Sequence, residues 1–269
     1  MNSIETLAQE ISTSGDPSEI AYFNFHKRRF QHVESFLSGN FRPDPSGPKP
    51  KVLDIGSHYL HTSMILSQWN FEVDGMDVST FWDLEFVKKR GEKFGITPII
   101  ENDLANLPKF QEVHDRYDLV VFTEIFEHIT FNPVQLWKTI YQILKPGGKI
   151  YISTPNALAL ANLVRNFKNL ITLQSIGIPV DDVLSKVTYG HHWKEYTARE
   201  IRKYFHSLSD DFQVSITPYH YKEYELKSPY LAFKALSKLG NLTNTFAEEL
   251  QVVVEVTEKK SWKMKVPEY

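Results

Sequence analysis

The chain has 269 residues, 42% apolar and 23% charged, with a formal net charge of −3. That is an ordinary globular composition, long enough to bury about three quarters of the unfolded surface. The near-neutral charge argues against a strong electrostatic grip on nucleic acid. The absence of cysteine excludes disulfides and thiolate metal sites.

Met1–Glu10 is polar and carries two glutamates, unlike a signal peptide. No apolar run approaches the roughly 20 residues that span a bilayer, and the chain reads as cytoplasmic. Residues 1–40 are predicted helical, with an apolar face through Ile20, Phe23, Phe30, Val33 and Leu37. Lys27, Arg28 and Arg29 interrupt that face and read as a solvated basic triplet. Phe41–Pro50, with four prolines and a glycine, reads as a linker that closes an N-terminal helical cap over 1–50.

From residue 51 onward strands and helices alternate. Strands are expected at 51–55, 71–76, 97–101, 117–122 and 148–154. Helices are expected near 60–69, 80–94, 132–144 and 156–171. Asn132-Pro133 suits a helix start and Pro146-Gly147-Gly148 a helix stop. This rhythm predicts an α/β domain over 51–269, a mostly parallel sheet with helices on both faces. Strand-like runs at 212–217 and 251–257 lack the rhythm and suit an antiparallel edge pair. Insertions near 157–196 and 219–249 are long for connections and read as substrate lids.

Lys51-Val52-Leu53-Asp54-Ile55-Gly56 reads as a buried strand ending in a glycine turn. Asp77 follows 21 residues after Gly56, at the end of the next strand-like run. A carboxylate there can accept hydrogen bonds from both hydroxyls of a ribose; the competing reading is that Asp77 caps the next helix.

Val52–Gly56, Val73–Asp77, Asn102-Asp103-Leu104, Tyr117–Val121 and Leu144–Gly148, in this order and spacing, resemble the successive motifs of class I S-adenosylmethionine-dependent methyltransferases. The resemblance covers roughly residues 50–156. It implies a Rossmann-like sheet of seven strands with an antiparallel last strand, and S-adenosylmethionine as cofactor. It places the Gly56 turn beneath the cofactor and Asp77 on the ribose. Asp103 and the Leu104 amide fall beside the adenine, and Phe122 and Thr123 on the path to the methionine end. Asp54, His58 and Val78 complete the implied cofactor set. One departure is plain: Gly56-Ser57-His58-Tyr59-Leu60 keeps one glycine where the family carries G-x-G-x-G.

Thr123-Glu124-Ile125-Phe126-Glu127-His128 follows the fourth strand, where an open α/β sheet keeps its ligand crevice. Two readings compete. Glu124 or His128 serves as general base for a hydroxyl acceptor, with His192 from the later His191-His192-Trp193 run beside it. Alternatively Glu124, Glu127, His128 and His192 hold a divalent metal, which is possible but not favoured. The second pattern resembles small-RNA 2′-O-methyltransferases and ubiquinone-pathway O-methyltransferases. Ser153-Thr154-Pro155-Asn156 followed by His192–Thr197 also looks like methyltransferases of polysaccharide pathways. There Lys194 and Glu195 would meet sugar hydroxyls; the plainer reading makes Thr197 and Glu200 a capping box and leaves Lys194 and Glu195 solvated.

The expected function is methylation of a sugar, glycan or small-molecule hydroxyl. The alternatives are a metal-assisted RNA 2′-O-methyltransferase and a non-catalytic partner protein that kept the fold. A nicotinamide dehydrogenase fits less well, because G-x-G-x-x-G is absent. No heptad pattern or interface run fixes an oligomeric state.

Overall fold

The computed structural model describes residues 3–41, 47–174, 177–178, 180–220 and 230–267. Two helices open the chain, α1 (Ser3–Ser14) and α2 (Pro17–Asn40). They break at Gly15, whose φ is +69°, and α2 restarts on Asp16, whose carboxylate accepts from the Ser18 amide at 2.8 Å, with Pro17 in the first turn.

The alternating region then gives β1 (Lys51–Ile55), α3 (His61–Gln68), β2 (Glu72–Asp77), α4 (Ser79–Trp82), α5 (Glu85–Phe94), β3 (Ile96–Ile100), β4 (Tyr117–Thr123), α6 (Val134–Ile143) and β5 (Leu144–Pro155). The insertion holds α7 (Leu160–Ile171) and α8 (Val180–Ser185). The chain closes with α9 (Ala198–Leu208), β6 (Phe212–Tyr219), α10 (Tyr230–Leu242) and β7 (Glu249–Val256). The second expected lid, 219–249, is described only at its ends: 221–229 lie outside the described residues, and 230–242 form α10.

The seven strands make one sheet in the order β3-β2-β1-β4-β5-β7-β6. The first five pair in parallel, and β7 runs antiparallel between β5 and β6. This is the Rossmann-like sheet with an antiparallel last strand that the motifs imply. Period-2 alternation divides the strand residues between two cores. Leu53, Ile55, Val120, Phe122, Ile150 and Ile152 meet Trp137 of α6 and Phe205 of α9 on one face. Val52, Val73, Leu119, Val121 and Tyr151 meet α1, α2, α3 and α5 on the other. The N-terminal helices therefore share a core with the sheet.

Two expected elements differ. The helix expected over 80–94 is broken at Asp83-Leu84 into α4 and α5. The Pro146-Gly147-Gly148 stop lies inside β5 as an irregularity: Tyr117 pairs with Leu144 and Leu119 with Lys149, so the extra residues bulge out. Among the described residues, no helix is long and apolar enough to cross a membrane.

Candidate active site

The chain order of the parallel strands reverses between β1 and β4, and ligands of such sheets bind beyond the carboxyl ends at that switch point. Gly56 leaves β1 there with φ +72°. Its amide and that of Ser57 both donate to the Met76 carbonyl, at 2.8 and 3.1 Å, which stitches the turn to the end of β2. A Cβ on Gly56 would stand 2.1 Å from Cδ1 of Ile125, so any side chain there would meet an unfavourable φ and would also have to displace the tip of Ile125.

Asp77 ends β2, with one carboxylate oxygen accepting from the His58 amide and the other from Val78, both at 2.7 Å. Each oxygen keeps lone-pair capacity for a ligand hydroxyl. Burial raises the Asp77 pKa, against the two amide bonds. The role of Asp77 as a cap for its own turn and its availability to a ribose are thus compatible.

His58 and Leu60 occupy the positions where the family carries glycine. Both hold left-handed backbone, φ +47° and +66°. The conformation is kept without the residue that favours it. The His58 ring is packed 3.8 Å from Tyr59 and 4.3 Å from Phe81, ring centre to ring centre. Burial, then His61 and Arg29, lower its pKa to about 4, so it is neutral. Leu60 is fully buried.

Asp54 lies in the middle of the sheet, accepting from Ser63 Oγ at 2.6 Å, and its Oδ1 has no partner among the described residues. At the end of β3, Glu101 accepts from the Asp103 amide at 3.0 Å, while Asp103 takes the Asn106 amide and side chain. Leu104 is half-buried beside them. Phe122 is fully buried 5.4 Å from Trp137, so its ring belongs to the α6 core and only its main chain faces the strand end; Thr123 is half-buried.

Past β4, Glu124 adopts φ +53°. Its amide donates to the Ser153 carbonyl at 2.9 Å and its carboxylate accepts from Ser153 Oγ at 2.8 Å. Glu127 is fully buried and accepts from Thr154 Oγ1 at 2.9 Å. Burial, reinforced by the charge of Glu124, raises its pKa well above the carboxylate range.

The carbonyl of Glu127 accepts the amides of Trp193 and Lys194, at 2.8 and 3.3 Å, and this clasp brings the distant histidine run to the strand end. His128 Nδ1 donates to the His191 carbonyl at 2.9 Å, which leaves Nε2 as the lone-pair nitrogen. Burial, then His192, lowers its pKa. The His128 and His192 rings meet edge-on, 4.9 Å between centres, and His192 Nδ1 pairs with Glu195 at 3.1 Å.

The donor atoms of Glu127, His128 and His192 all lie within 4.8 Å of one another. Glu124, the other metal candidate, stands outside this trio. The Thr197–Glu200 capping box forms as expected, and Lys194 is held by Glu200 at 2.9 Å.

Beside His192 lies a cavity of about 600 Å³ lined by Asn162, Arg165, Asn166, Trp193 and Glu195 among others. The indole N–H of Trp193 donates to the Thr188 carbonyl at 2.8 Å, fixing a half-exposed ring on its wall.

Sequence reasoning missed one residue of this region. Arg29 was read as part of a solvated triplet, but only Lys27 and Arg28 are exposed. The Arg29 side chain is 4% exposed and lies 3.7 Å from the Glu124 carboxylate. Its spacing held the signal: it stands seven residues after Tyr22 and four before Val33, on the buried face of α2.

The methyltransferase-domain family matches residues 24–208, which include every strand-end residue described above. The chain belongs to the class I S-adenosylmethionine-dependent methyltransferases. It is 29% identical over 106 residues to the ubiquinone biosynthesis O-methyltransferase of Leptothrix cholodnii, covering 39% of this chain and 44% of that protein. Over 112 residues it is 30% identical to the enzyme of that name from Proteus mirabilis, covering 39% and 42%. The matched stretch thus spans less than half of either relative. Among solved structures, a chain of the Haloferax volcanii complex between the Trm112 methyltransferase activator and a putative methyltransferase superposes with a TM-score of 0.56. Its identity is 13%, over 94% of this chain and 98% of that one. The S-adenosylmethionine-dependent methyltransferase of Mesorhizobium loti gives 0.54 at 16% identity, over 83% and 97%. These last two likenesses show the fold.

The methyltransferase's residues fit the family cofactor on their own chemistry. Asp77 offers two acceptor oxygens at the end of β2. Asp54 Oδ1, Ser57 Oγ and Glu101 Oε2, at or near the same strand ends, are buried polar atoms without a partner among the described residues. Such atoms are costly unless a ligand or water satisfies them.

Proposed function

We propose that this methyltransferase transfers a methyl group to a hydroxyl of a sugar or a similarly polar small molecule. The observation that carries the reading is the cavity beside His192. It is walled by amide and charged side chains and by the fixed indole of Trp193, and its lining residue His192 meets the His128 imidazole. Amides and charges hydrogen-bond to hydroxyls, and an indole face packs on a sugar ring.

S-adenosylmethionine, when bound, supplies a sulfonium methyl group. Asp77 would hold the ribose end, and Asp103 with the Leu104 amide would border the adenine. His128 Nε2 would take the proton of the acceptor hydroxyl and so free its oxygen to receive that methyl group. The His191 carbonyl sets the tautomer that makes Nε2 the acceptor. Its lowered pKa keeps it unprotonated at neutral pH, so activity should persist at the ordinary histidine value of about 6.5 and fall only at lower pH. His192 and Glu195 line the acceptor side.

The test is S-adenosylhomocysteine binding by calorimetry, followed by a methyl-transfer screen over sugars and small phenols. We expect binding and transfer to a hydroxyl acceptor. His128→Gln should lower kcat by about 10²-fold or more with cofactor affinity within twofold. Transfer to no hydroxyl compound, or full activity in His128→Gln, overturns the reading.

One observation favours a second reading: the Glu127, His128 and His192 donors within 4.8 Å, with both imidazoles oriented by a further acceptor. That arrangement suits a divalent cation once Glu127 loses its proton. In that case EDTA abolishes transfer and added Mg²⁺ or Zn²⁺ restores it. Activity unchanged by EDTA, with no metal in the purified protein, returns His128 to the role of base.

A further inference from the structure

We infer that α7 docks the protein on an anionic membrane surface, its apolar face entering the lipid and its basic residues meeting the headgroups. The inference does not depend on which acceptor is methylated. It concerns the outer side of the helix whose inner side walls the cavity.

The pattern of α7 comes first. Leu160, Leu163, Val164, Phe167, Leu170 and Ile171 recur at three- and four-residue spacing and share one face. Asn162, Asn166 and Asn169 share another, and that face lines the cavity beside His192. The apolar face is therefore turned away from the cavity. Gly240 of α10 closes on it at the first turn, against Leu160. The later turns stay open: Val164, Phe167, Leu170 and Ile171 are 44%, 65%, 55% and 65% exposed.

Five of the seventeen large apolar side chains exposed among the described residues lie within 164–173. Scattered exposed apolar residues are ordinary, but a run on one helix face marks an interaction surface. Leu173 ends the run just past the helix. It is 92% exposed and holds φ +55°, so packing within the protein offers almost nothing to offset its strained backbone. A lipid phase would bury that side chain.

Charge selects the occupant. Not one of the chain's 33 acidic residues falls between Glu127 and Asp181, while α7 carries Arg165 and Lys168, and α10 carries Lys234 and Lys238 without an acid. Lys168, four residues after Val164 and three before Ile171, borders the apolar face. Asp182, Glu195 and Glu248 lie on the cavity side. A basic surround on an apolar helix face, in a chain of net charge −3, complements anionic headgroups. The lysine stem can reach them while Phe167 and Leu170 sit deeper. With 12 residues α7 is too short to cross a bilayer, so it would lie in the plane of the interface.

The experiment is vesicle flotation of the full chain at low salt. One set of vesicles is phosphatidylcholine alone, the other phosphatidylcholine mixed with phosphatidylglycerol. The wild type should bind the mixed vesicles at least tenfold more tightly, and about 0.5 M salt should remove most of that preference. Phe167→Gln combined with Leu170→Gln should weaken binding to the mixed vesicles by tenfold or more. Lys168→Glu should weaken it by about tenfold and leave binding to neutral vesicles within twofold of the wild type. All three side chains are exposed, so each variant should keep the wild-type circular dichroism and urea midpoint.

No binding to mixed vesicles at millimolar lipid overturns the inference, and so does binding that the double variant retains. A wild type that sediments as a dimer, with the double variant a monomer, overturns it as well: a second copy of the chain would then cover this face.

Discussion

Gly56, His58 and Leu60 all hold positive φ, and only the first is a glycine. The turn therefore keeps the conformation of a glycine-rich loop at the expense of strain, on the order of 1 kcal/mol or more for each non-glycine residue. The three positions are not equivalent. At Leu60 burial offsets the strain, and at His58 the tilted and edge-on contacts of its ring with Tyr59 and Phe81 do. At Gly56 a Cβ would need the space that the tip of Ile125 occupies, so Ile125 would have to move. Gly56→Ala should lower stability by about 2–4 kcal/mol, part from φ and part from the clash. Urea unfolding measures it, and a double-mutant cycle separates the parts. In an Ile125→Ala background the cost of Gly56→Ala should shrink to about 1–2 kcal/mol. An unchanged cost in that background would mean that the contact with Ile125 is not what excludes a side chain.

At the scale of elements, β1 falls on the expected residues, and β2 to β4 fall within a residue or so of expectation. Their apolar alternation is local information and survives in any context. Gly56 and Asp77 were legible for the same reason: each sits at a strand end that the pattern already marks. Arg29 was not, because the carboxylate it faces is that of Glu124, 95 residues away, and a basic triplet looks solvated until the helix is laid on the sheet. The pairing of His128 with His192 likewise depends on the Glu127 carbonyl clasp, which no spacing reveals.

The same helix holds a second buried charge, Glu19, bonded to His61 at 2.7 Å and to Arg90 at 2.6 Å. Burial opposes its ionisation, but these bonds outweigh burial and hold its pKa down to about 2. Its stabilising contribution is complete above its ordinary value of 4.5 and disappears as pH falls toward 2. Glu19→Gln leaves Arg90 buried without its anion and should cost about 3 kcal/mol at pH 7, and much less near pH 3. Equal unfolding free energies for the variant and wild type at pH 7 would show that this network does not tie α2 to α3 and α5.

For the whole molecule, the sheet that gathers the strand ends also gathers their charges, and the ligand-free protein bears the consequence. Burial, with the nearby charge of Asp77 adding to it and Ser63 opposing, pushes Asp54 up to about 7. Its folded pKa lies above the unfolded value of 3.8, so the folded state holds a proton that the unfolded chain releases. The resulting stability is fully present below about pH 4, declines as pH rises toward 7 and is flat beyond. His58 runs the other way. Lowered to about 4, it makes the unfolded chain the better proton binder, so stability increases from about pH 4 to its ordinary 6.5. The two slopes offset each other in the wild type, and its own pH profile does not isolate either. The difference between Asp54→Asn and the wild type does, since His58 is common to both. The gap between 3.8 and about 7 corresponds to about 4 kcal/mol. Relative to pH 4, Asp54→Asn should therefore gain up to about 4 kcal/mol on the wild type by pH 8, read from urea midpoints at a series of pH values. A difference that stays constant from pH 4 to 8 would mean that Asp54 ionises as freely in the fold as out of it, and that the ends of β1 and β2 are wetter than their burial implies.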